Sequence, residues 1–365
     1  MEQFIGCDQH KHYSVFAAMN EAGQYGKTVR VEHDRGAMEK FLAELPAGSE
    51  IALETSGHYY WLVEAMEKAG HHPKLAHALE VKKRSGRKGK KTDQEDAQAL
   101  AMLLRNGTLP VVWIPPRELR DQREMLRLRM SLSRQRTRVK NRIHGALSRY
   151  NVQLTGDPYS GEWRRQLAAR MPELPEHTRQ SVVWQLAMLD FVEVQMEQVE
   201  KQLLQILSKM PEADLLKTLP GVGPILSMVL TLEIGKVERF DTAAHLASYS
   251  GLVPGVSSSG GHTRLGQVCR DVNHYLKWAF VEAANLIVAQ QKKWKGSHVL
   301  RLYHRVQRKK NHQKAVVAVG RHLAESSYWI LKKWELYQPP QSPKRDRADL
   351  SSTHGSARNK LSPRG

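Results

Sequence analysis

The chain has 365 residues, 41% of them hydrophobic, which is enough for two or three domains with a sizeable core and excludes a disordered protein. Its formal net charge of +19 favours a nucleic-acid partner over a small molecule. There is no membrane-spanning apolar run and no secretion signal, and Cys7 and Cys269 are the only cysteines, so we expect a cytoplasmic protein without a disulfide framework or zinc motif.

The N-terminal part has the pattern of an α/β layer with a mixed sheet. Strands come first, and strands and helices then alternate. The predicted strands are 4–8, 14–19, 27–31, 50–54 and 73–76, and the predicted helices are 37–45 and 59–69.

Acidic residues stand where these elements end or begin. Asp8 and Glu54 are at predicted strand ends, which converge on one crevice in such a sheet. Thr92 is a plausible N-cap with Glu95 as its capping-box partner, so a helix begins at Asp93. A spacing of three then puts Asp93 and Asp96 on one face. The four carboxylates Asp8, Glu54, Asp93 and Asp96 are therefore predicted to surround one or two Mg²⁺ ions.

A dense basic stretch, interpreted as a loop, directly precedes this acidic helix. Basic residues bind a phosphate backbone, whereas acidic residues repel it unless a divalent cation lies between them. The juxtaposition predicts metal-assisted chemistry on nucleic acid. The predicted phosphate-binding residues here are Lys82, Lys83, Arg84, Arg87, Lys88, Lys90 and Lys91.

From Pro115 the pattern changes to a long arginine-rich helix, followed by a second long helix over 178–210. Apolar residues recur at three and four in both, so we predict an antiparallel coiled-coil arm. The arginines, among them Arg134, Arg138 and Arg142, either bind nucleic acid or form a solvated helix face. Acids are nearly absent between residues 120 and 149, which favours nucleic acid.

The C-terminal part is predicted to be mainly helical, with helices over 225–234, 242–249 and 271–290 and a basic helical stretch over 299–334. The turn Gly221-Val-Gly223 could grip a phosphate. A serine-rich loop around Ser257-Ser-Ser259 is either a flexible linker or a site where a serine attacks a phosphate neutralised by His262, Arg264 and Arg270. Residues from 338 onward are predicted to be a disordered tail.

Two separated motif blocks together resemble one family. Asp8, Glu54 and the run Lys90-Lys-Thr-Asp-Gln-Glu-Asp-Ala97 form the first, and Leu219-Pro-Gly-Val-Gly-Pro224 with Tyr249-Ser-Gly-Leu-Val-Pro254 and Ser258-Ser-Gly-Gly261 form the second. The chain resembles the DEDD-type transposases of the insertion sequence one-hundred-ten family, which are bridge-RNA-guided recombinases. The resemblance covers roughly residues 4 to 335.

The resemblance implies a ribonuclease-H-like (Holliday-resolvase-like) catalytic domain over 1–114, a coiled-coil arm over 115–210, a transposase domain over 211–336 and a basic tail over 337–365. It implies that Asp8, Glu54, Asp93 and Asp96 hold Mg²⁺, and that Ser259 is the nucleophile, with Ser258 as the alternative. The implied partners are element and target DNA, a guide RNA and further copies of the chain in a dimer or tetramer, with the two domains working together. Two alternative functions remain open. One is a junction-resolving nuclease with a structural serine loop, and the other is a catalytically inactive nucleic-acid-binding protein.

Overall fold

The computed structural model describes residues 3–34, 36–85, 92–259, 262–268 and 271–340, and of residues 256, 257, 259, 262–265 and 267 it describes the backbone alone. The chain divides into two compact units between Pro116 and Arg117. The first unit contains a five-stranded sheet with helices, and the second is mostly helical. This confirms the predicted combination of an α/β N-terminal part with a mainly helical C-terminal part.

The sheet of the first unit is mixed, as predicted. Its strands lie in the order β3-β2-β1-β4-β5. Strand β1 is antiparallel to β2 and parallel to β4, while β2 and β3 are antiparallel and β4 and β5 are parallel. The elements are β1 (Gln3–Gln9), β2 (Tyr13–Asn20), β3 (Val29–Glu32), α1 (Ala37–Glu44), β4 (Glu50–Glu54), α2 (Tyr59–Lys68), β5 (His72–Ala76), α3 (Ala78–Arg84) and α4 (Asp93–Arg105).

Helices cover both faces of this sheet. Ile5 and Cys7 of β1 pack in one core with Leu42 of α1 and Leu62 of α2. Residues of the opposite face, such as Ala52 of β4, pack against α4. Successive side chains of a strand point to opposite faces, so Gly6 and Asp8 lie on the α4 side.

The second unit begins with two long helices that run antiparallel, as the sequence predicts. Its elements are α5 (Arg117–Arg149), α6 (Gly161–Arg170), α7 (Glu176–Leu207), α8 (Pro211–Leu216), α9 (Pro224–Ile234), α10 (Ala243–Tyr249), β6 (Pro254–Ser259), β7 (His262–Val268), α11 (His274–Ala289), α12 (His298–Lys309) and α13 (His312–Lys333). Arg129 pairs with Glu200 at 2.7 Å, and Lys140 pairs with Glu193 at 3.1 Å. A residue later in α5 thus pairs with a residue earlier in α7, as expected for antiparallel helices.

The two long helices share their apolar core with the C-terminal helices at one end. Leu126 of α5 and Leu203 of α7 belong to the same core as Met228 of α9 and Phe280 of α11. At the other end, Ile143 and other residues of the pair enclose Trp163 of α6 in a separate core. None of the described helices combines the length and the apolar composition needed to cross a bilayer.

Two local predictions are wrong. Lys82, Lys83 and Arg84 are the last turn of α3 and not a loop, because basic side chains suit a helix C-terminus and His77 caps the start by accepting from the Glu80 N–H. The serine-rich segment is a β-hairpin, β6–β7. The basic stretch over 299–334 is helical, as predicted, and it is divided into two helices because the side chain of Asn311 caps the second one by accepting from the Lys314 N–H.

Candidate active site

Two of the predicted acids lie at the ends of adjacent parallel strands. Asp8 is the next-to-last residue of β1, and Glu54 is the last residue of β4. Cys7 stands opposite Leu53 in the register of this pair, so the residues that follow them, Asp8 and Glu54, are neighbours at one edge of the sheet. Both lie on the face that α4 covers.

Helix α4 begins at the predicted residue. The Oγ1 of Thr92 accepts a hydrogen bond from the Glu95 N–H at 3.3 Å, which makes Asp93 the first helical residue. The helix lies very close to β1 because residue 6 is glycine: a Cβ atom there would lie 1.9 Å from the carbonyl oxygen of Ala97. This close packing brings the first turn of α4 to the end of β1.

Asp8, His10 and Asp93 come together at this point. The Nε2 of His10 lies 3.1 Å from Oδ2 of Asp8 and 3.2 Å from Oδ2 of Asp93. The Tyr13 hydroxyl donates a 2.9 Å hydrogen bond to the same Asp93 oxygen, and this bond is the main cause that raises the pKa of Tyr13. The ring of Tyr13 stacks on His10 and carries the guanidinium of Arg30 on it, 3.6 Å from the ring centre. The two carboxylates are therefore held in position by a ring pair.

The donor atoms of this group fit a divalent cation. One ligand atom each from Asp8, His10 and Asp93 lies within 4.8 Å of the others. Carboxylate oxygens suit Mg²⁺ and Mn²⁺, whereas an imidazole nitrogen is more typical of Mn²⁺ or Zn²⁺. Among the residues that the structure describes, Glu54 and Asp96 are not part of the group.

His10 is the member of this group that the sequence reasoning missed. It follows Asp8 by two residues, and on an extended chain side chains two residues apart point the same way. That spacing was the available signal.

The predicted phosphate-binding residues that the structure describes lie in three different elements, α3, α5 and β7. In α3, Lys82 is exposed, Lys83 pairs with Glu80 at 2.6 Å and Arg84 donates to the Thr108 carbonyl at 2.7 Å. Arg87, Lys88, Lys90 and Lys91 lie outside the described residues. Arg134, Arg138 and Arg142 are exposed on one face of α5, and Arg264 belongs to β7, where only its backbone is described.

The candidate nucleophile stands at the end of a hairpin strand. Ser259 is the last residue of β6 and pairs with His262, while the exposed Ser258 pairs with Thr263. The glycine turn at residues 221–223 has a packing role: a Cβ on Gly221, whose φ is +75°, would lie 2.3 Å from the Ala283 carbonyl oxygen. This contact with α11 explains the glycine without a phosphate.

The two chain segments that enter and leave the hairpin are joined at its base. The Asn273 N–H donates to the Tyr249 carbonyl at 2.9 Å, and the Asn273 side chain caps α11 by accepting from the N–H groups of Tyr275 and Leu276. The Asn273 amide also donates to the buried carboxylate of Glu233 at 2.9 Å.

Glu233 is fully buried, and arginines of α5 approach it. Arg127 lies 3.2 Å from its Oε1 and Arg123 lies 3.7 Å from its Oε2. Arg123 also donates to the carbonyls of Leu232 and Glu233. The prediction that the arginines of this helix face nucleic acid is therefore wrong for Arg123, and Arg120 is buried as well.

An α/β unit with an acidic, metal-compatible site, followed along the chain by a basic helical unit, is typical of the class of proteins that process nucleic acid. Comparison with known protein families identifies the family within this class. The profile of DEDD transposases of the IS110 type matches residues 5–152, and that of the IS116/IS110/IS902 transposase family matches residues 213–299. The chain belongs to this family, whose members catalyse DNA cleavage and strand transfer. Membership of the DEDD transposase family implies that the protein binds a divalent metal ion. The group formed by Asp8, His10 and Asp93 is compatible with such an ion.

Three relatives illustrate the similarity. A Sinorhizobium fredii protein named as transposase y4pF/y4sB is 25% identical over 337 residues, which is 92% of this chain and 85% of the relative. The transposase for element IS1111A of Coxiella burnetii is 22% identical over 92% of this chain and 91% of its own length. The transposase for element IS1328 of Yersinia enterocolitica is 23% identical over 72% of this chain and 78% of its own length.

Proposed function

We propose that this transposase excises and inserts a mobile element by using a Mg²⁺ site formed by Asp8, Glu54, Asp93 and Asp96 together with Ser259 as nucleophile. The observation that carries the proposal is the convergence of the Asp8 and Asp93 carboxylates on His10, at the end of β1 and the start of α4. The strand order β3-β2-β1-β4-β5, with helices on both faces, supports a ribonuclease-H-like fold for the first unit.

In the proposed reaction the Ser259 hydroxyl forms a bond to phosphorus while the bond from phosphorus to one deoxyribose oxygen breaks. The hydroxyl proton ends on the leaving oxygen, and the strand end stays on the protein as a phosphoserine ester until it is rejoined. The carboxylates would hold a divalent cation, which would stabilise the charge that develops on the phosphate oxygens. His10 contacts Asp8 and Tyr13 donates to Asp93, and these contacts would keep the two carboxylates oriented for such a cation.

We further propose that a non-coding RNA guides the enzyme and that the active form is a dimer or tetramer. Base pairing to the RNA would select the DNA sequence, so the protein would bind mainly the backbone and the duplex shape. The exposed arginines Arg134, Arg138 and Arg142 suit that role because they lie four residues apart on one helix face.

A covalent adduct is the direct test. The purified protein is incubated with element-end DNA and a divalent cation, denatured, and analysed for protein linked to DNA. We expect Ser259→Ala and Asp93→Asn each to abolish the adduct, and Ser258→Ala, on the same strand, to retain it. An undiminished adduct in Ser259→Ala would remove the serine assignment.

The second candidate function is a metal-dependent nuclease that resolves DNA junctions with water as nucleophile. The observation that favours it is that Asp8, His10 and Asp93 form a metal-compatible group within the first unit alone. A resolvase would keep cleaving junction DNA after Ser259→Ala and would lose cleavage after Asp93→Asn. A protein that only binds nucleic acid would be unchanged by both substitutions.

A further inference from the structure

A strongly basic surface lies on α12 and the start of α13, in a region that the sequence reasoning assigned no role. Between Glu282 and Glu325 the chain contains no aspartate or glutamate. Within this interval we define the α12 surface by the exposed basic residues Arg301, Arg305, Arg308, Lys309, Lys310 and Lys314.

The charges share one face because of the helical repeat. Arg301, Arg305 and Arg308 are four and three residues apart, so they lie along one side of α12. The opposite side carries Val299 and Tyr303, which are buried in the main core of the second unit. At about 1.5 Å per residue, this helix of 12 residues is about 18 Å long, enough to follow several phosphates.

Two contacts hold the surface in a fixed shape. The Tyr303 hydroxyl and the Nδ1 of His312 are hydrogen-bonded at 2.8 Å, which ties α12 to the start of α13. The Asn311 side chain caps α13 at 2.9 Å from the Lys314 N–H. The charges are thus presented by an anchored helical hairpin, so less conformational entropy is lost on binding.

The positive charge is concentrated enough to act on a neighbouring side chain. The pKa of His298, at the start of α12, is lowered first by burial and then by the charges of Arg301 and Arg305. The pKa of His322, whose ring lies against that of His298, is lowered by burial and by His298 itself. Glu325 acts in the opposite direction on the pKa of His322.

We propose that the α12 surface binds the phosphate backbone of duplex DNA. A single strand is normally held by exposed aromatic rings on which bases stack. Among the described residues from 298 to 314, the ring of Tyr303 is buried, and the exposed positions are filled by basic and amide side chains and by His312, whose Nδ1 is bonded to the Tyr303 hydroxyl. In this interval the surface therefore offers many contacts to phosphates and no exposed ring of Phe, Tyr or Trp on which a base could stack. The proposal rests on the DNA activity of the family and is independent of the serine and metal assignments.

The test measures how DNA binding depends on salt. Arg301, Arg305, Arg308 and Lys309 are changed together to Gln in the full-length protein, and binding to a labelled duplex of about 25 base pairs is followed by fluorescence anisotropy across salt concentrations. Each phosphate contact contributes about 0.9 to the slope of log K against log salt, so we expect the slope to become shallower by roughly 2 to 4. At about 0.15 M salt the affinity should fall on the order of 10²-fold.

The matched control removes the same number of positive charges elsewhere. Arg165, Arg170, Lys201 and Lys217 each pair with an acid three or four residues away, so their charge is compensated locally. Changing these four to Gln should leave the slope within about 0.5 of the original. Circular dichroism of both variants checks that helix content is kept.

Three results would overturn the proposal. One is an unchanged slope in the α12 variant, and another is an equal loss in both variants, which would report net charge alone. The third is unchanged affinity for duplex DNA with weakened binding of a structured RNA. The covalent adduct assay with Ser259→Ala is scored separately, so failure of the nucleophile assignment and failure of this surface are distinguishable.

Discussion

Substitution of Gly6 by alanine tests how the candidate metal site is assembled. Gly6 lies in β1 two residues before Asp8, and α4 crosses it at Ala97 and Ala101. An added Cβ atom would lie 1.9 Å from the Ala97 carbonyl oxygen and 2.6 Å from the Ala101 nitrogen. Both are backbone atoms, so no side-chain rotation relieves the contact and the helix itself must move.

The size of the effect follows from these distances. Ordinary contacts of a Cβ atom begin near 3.4 Å, so the Ala97 carbonyl has to move by about 1.5 Å. Such overpacking costs about 1 to 3 kcal/mol or more, of which lower entropy of the unfolded chain offsets about 0.4 to 1 kcal/mol. A comparable shift at Asp93 would lengthen the 2.9 Å bond from Tyr13 beyond hydrogen-bonding distance.

Thermal unfolding and metal binding measure the two consequences. We expect Gly6→Ala to lower Tm by roughly 4 to 10 °C and to weaken Mn²⁺ binding, measured by titration calorimetry, by about tenfold or more. Gly57→Ala is the matched control, because a Cβ at Gly57 meets nothing within 4 Å. If Gly6→Ala and Gly57→Ala had the same Tm and the same Mn²⁺ affinity, the role assigned to the close approach of α4 would be refuted.

Three other changes have outcomes that the structure specifies. Thr92→Ala removes the cap of α4 and should cost about 1 kcal/mol of unfolding free energy, seen by chemical denaturation. Glu233→Gln takes the buried carboxylate away from Arg123 and Arg127 and should destabilise the protein by about 3 kcal/mol; a change below about 1 kcal/mol would contradict this. Burial raises the pKa of the Cys7 thiol, so Cys7 should resist alkylation in the folded protein near pH 8. Rapid labelling of Cys7, measured by mass spectrometry, would contradict its buried position.

The elements of the first unit were predictable because their signals are local. A continuous apolar run between two glutamates predicted β4 with its observed limits, Glu50–Glu54, and Thr92 with Glu95 predicted the start of α4. The convergence of Asp8 and Asp93 followed from the rule that strand ends and helix starts meet at one sheet edge. The involvement of His10 was missed because its partners are 2 and 83 residues away, and the second distance is a property of the fold.

The serine hairpin was mistaken for a loop for a related reason. Glycine has low β-propensity and occupies four of residues 254–268, so the segment was interpreted as a loop. The antiparallel pairing of β6 with β7 and the join between Tyr249 and Asn273 at its base hold the segment instead. Tertiary context overrode composition here, and the buried Glu233 that supports Asn273 lies 40 residues earlier in the chain.

The arginines of α5 show why a count of charges misjudges a binding surface. Arg123 faces a buried carboxylate from α9, and Arg129 pairs with Glu200 across the helix pair, whereas Arg138 is exposed. The compensating acids are 110 and 71 residues away, so the sequence around the arginines contained too few acids to reveal them. Because removing one partner of a buried ion pair destabilises the fold, a loss of DNA binding after substitution of Arg123 would report unfolding. The same loss after substitution of Arg138, at unchanged Tm, would report a phosphate contact.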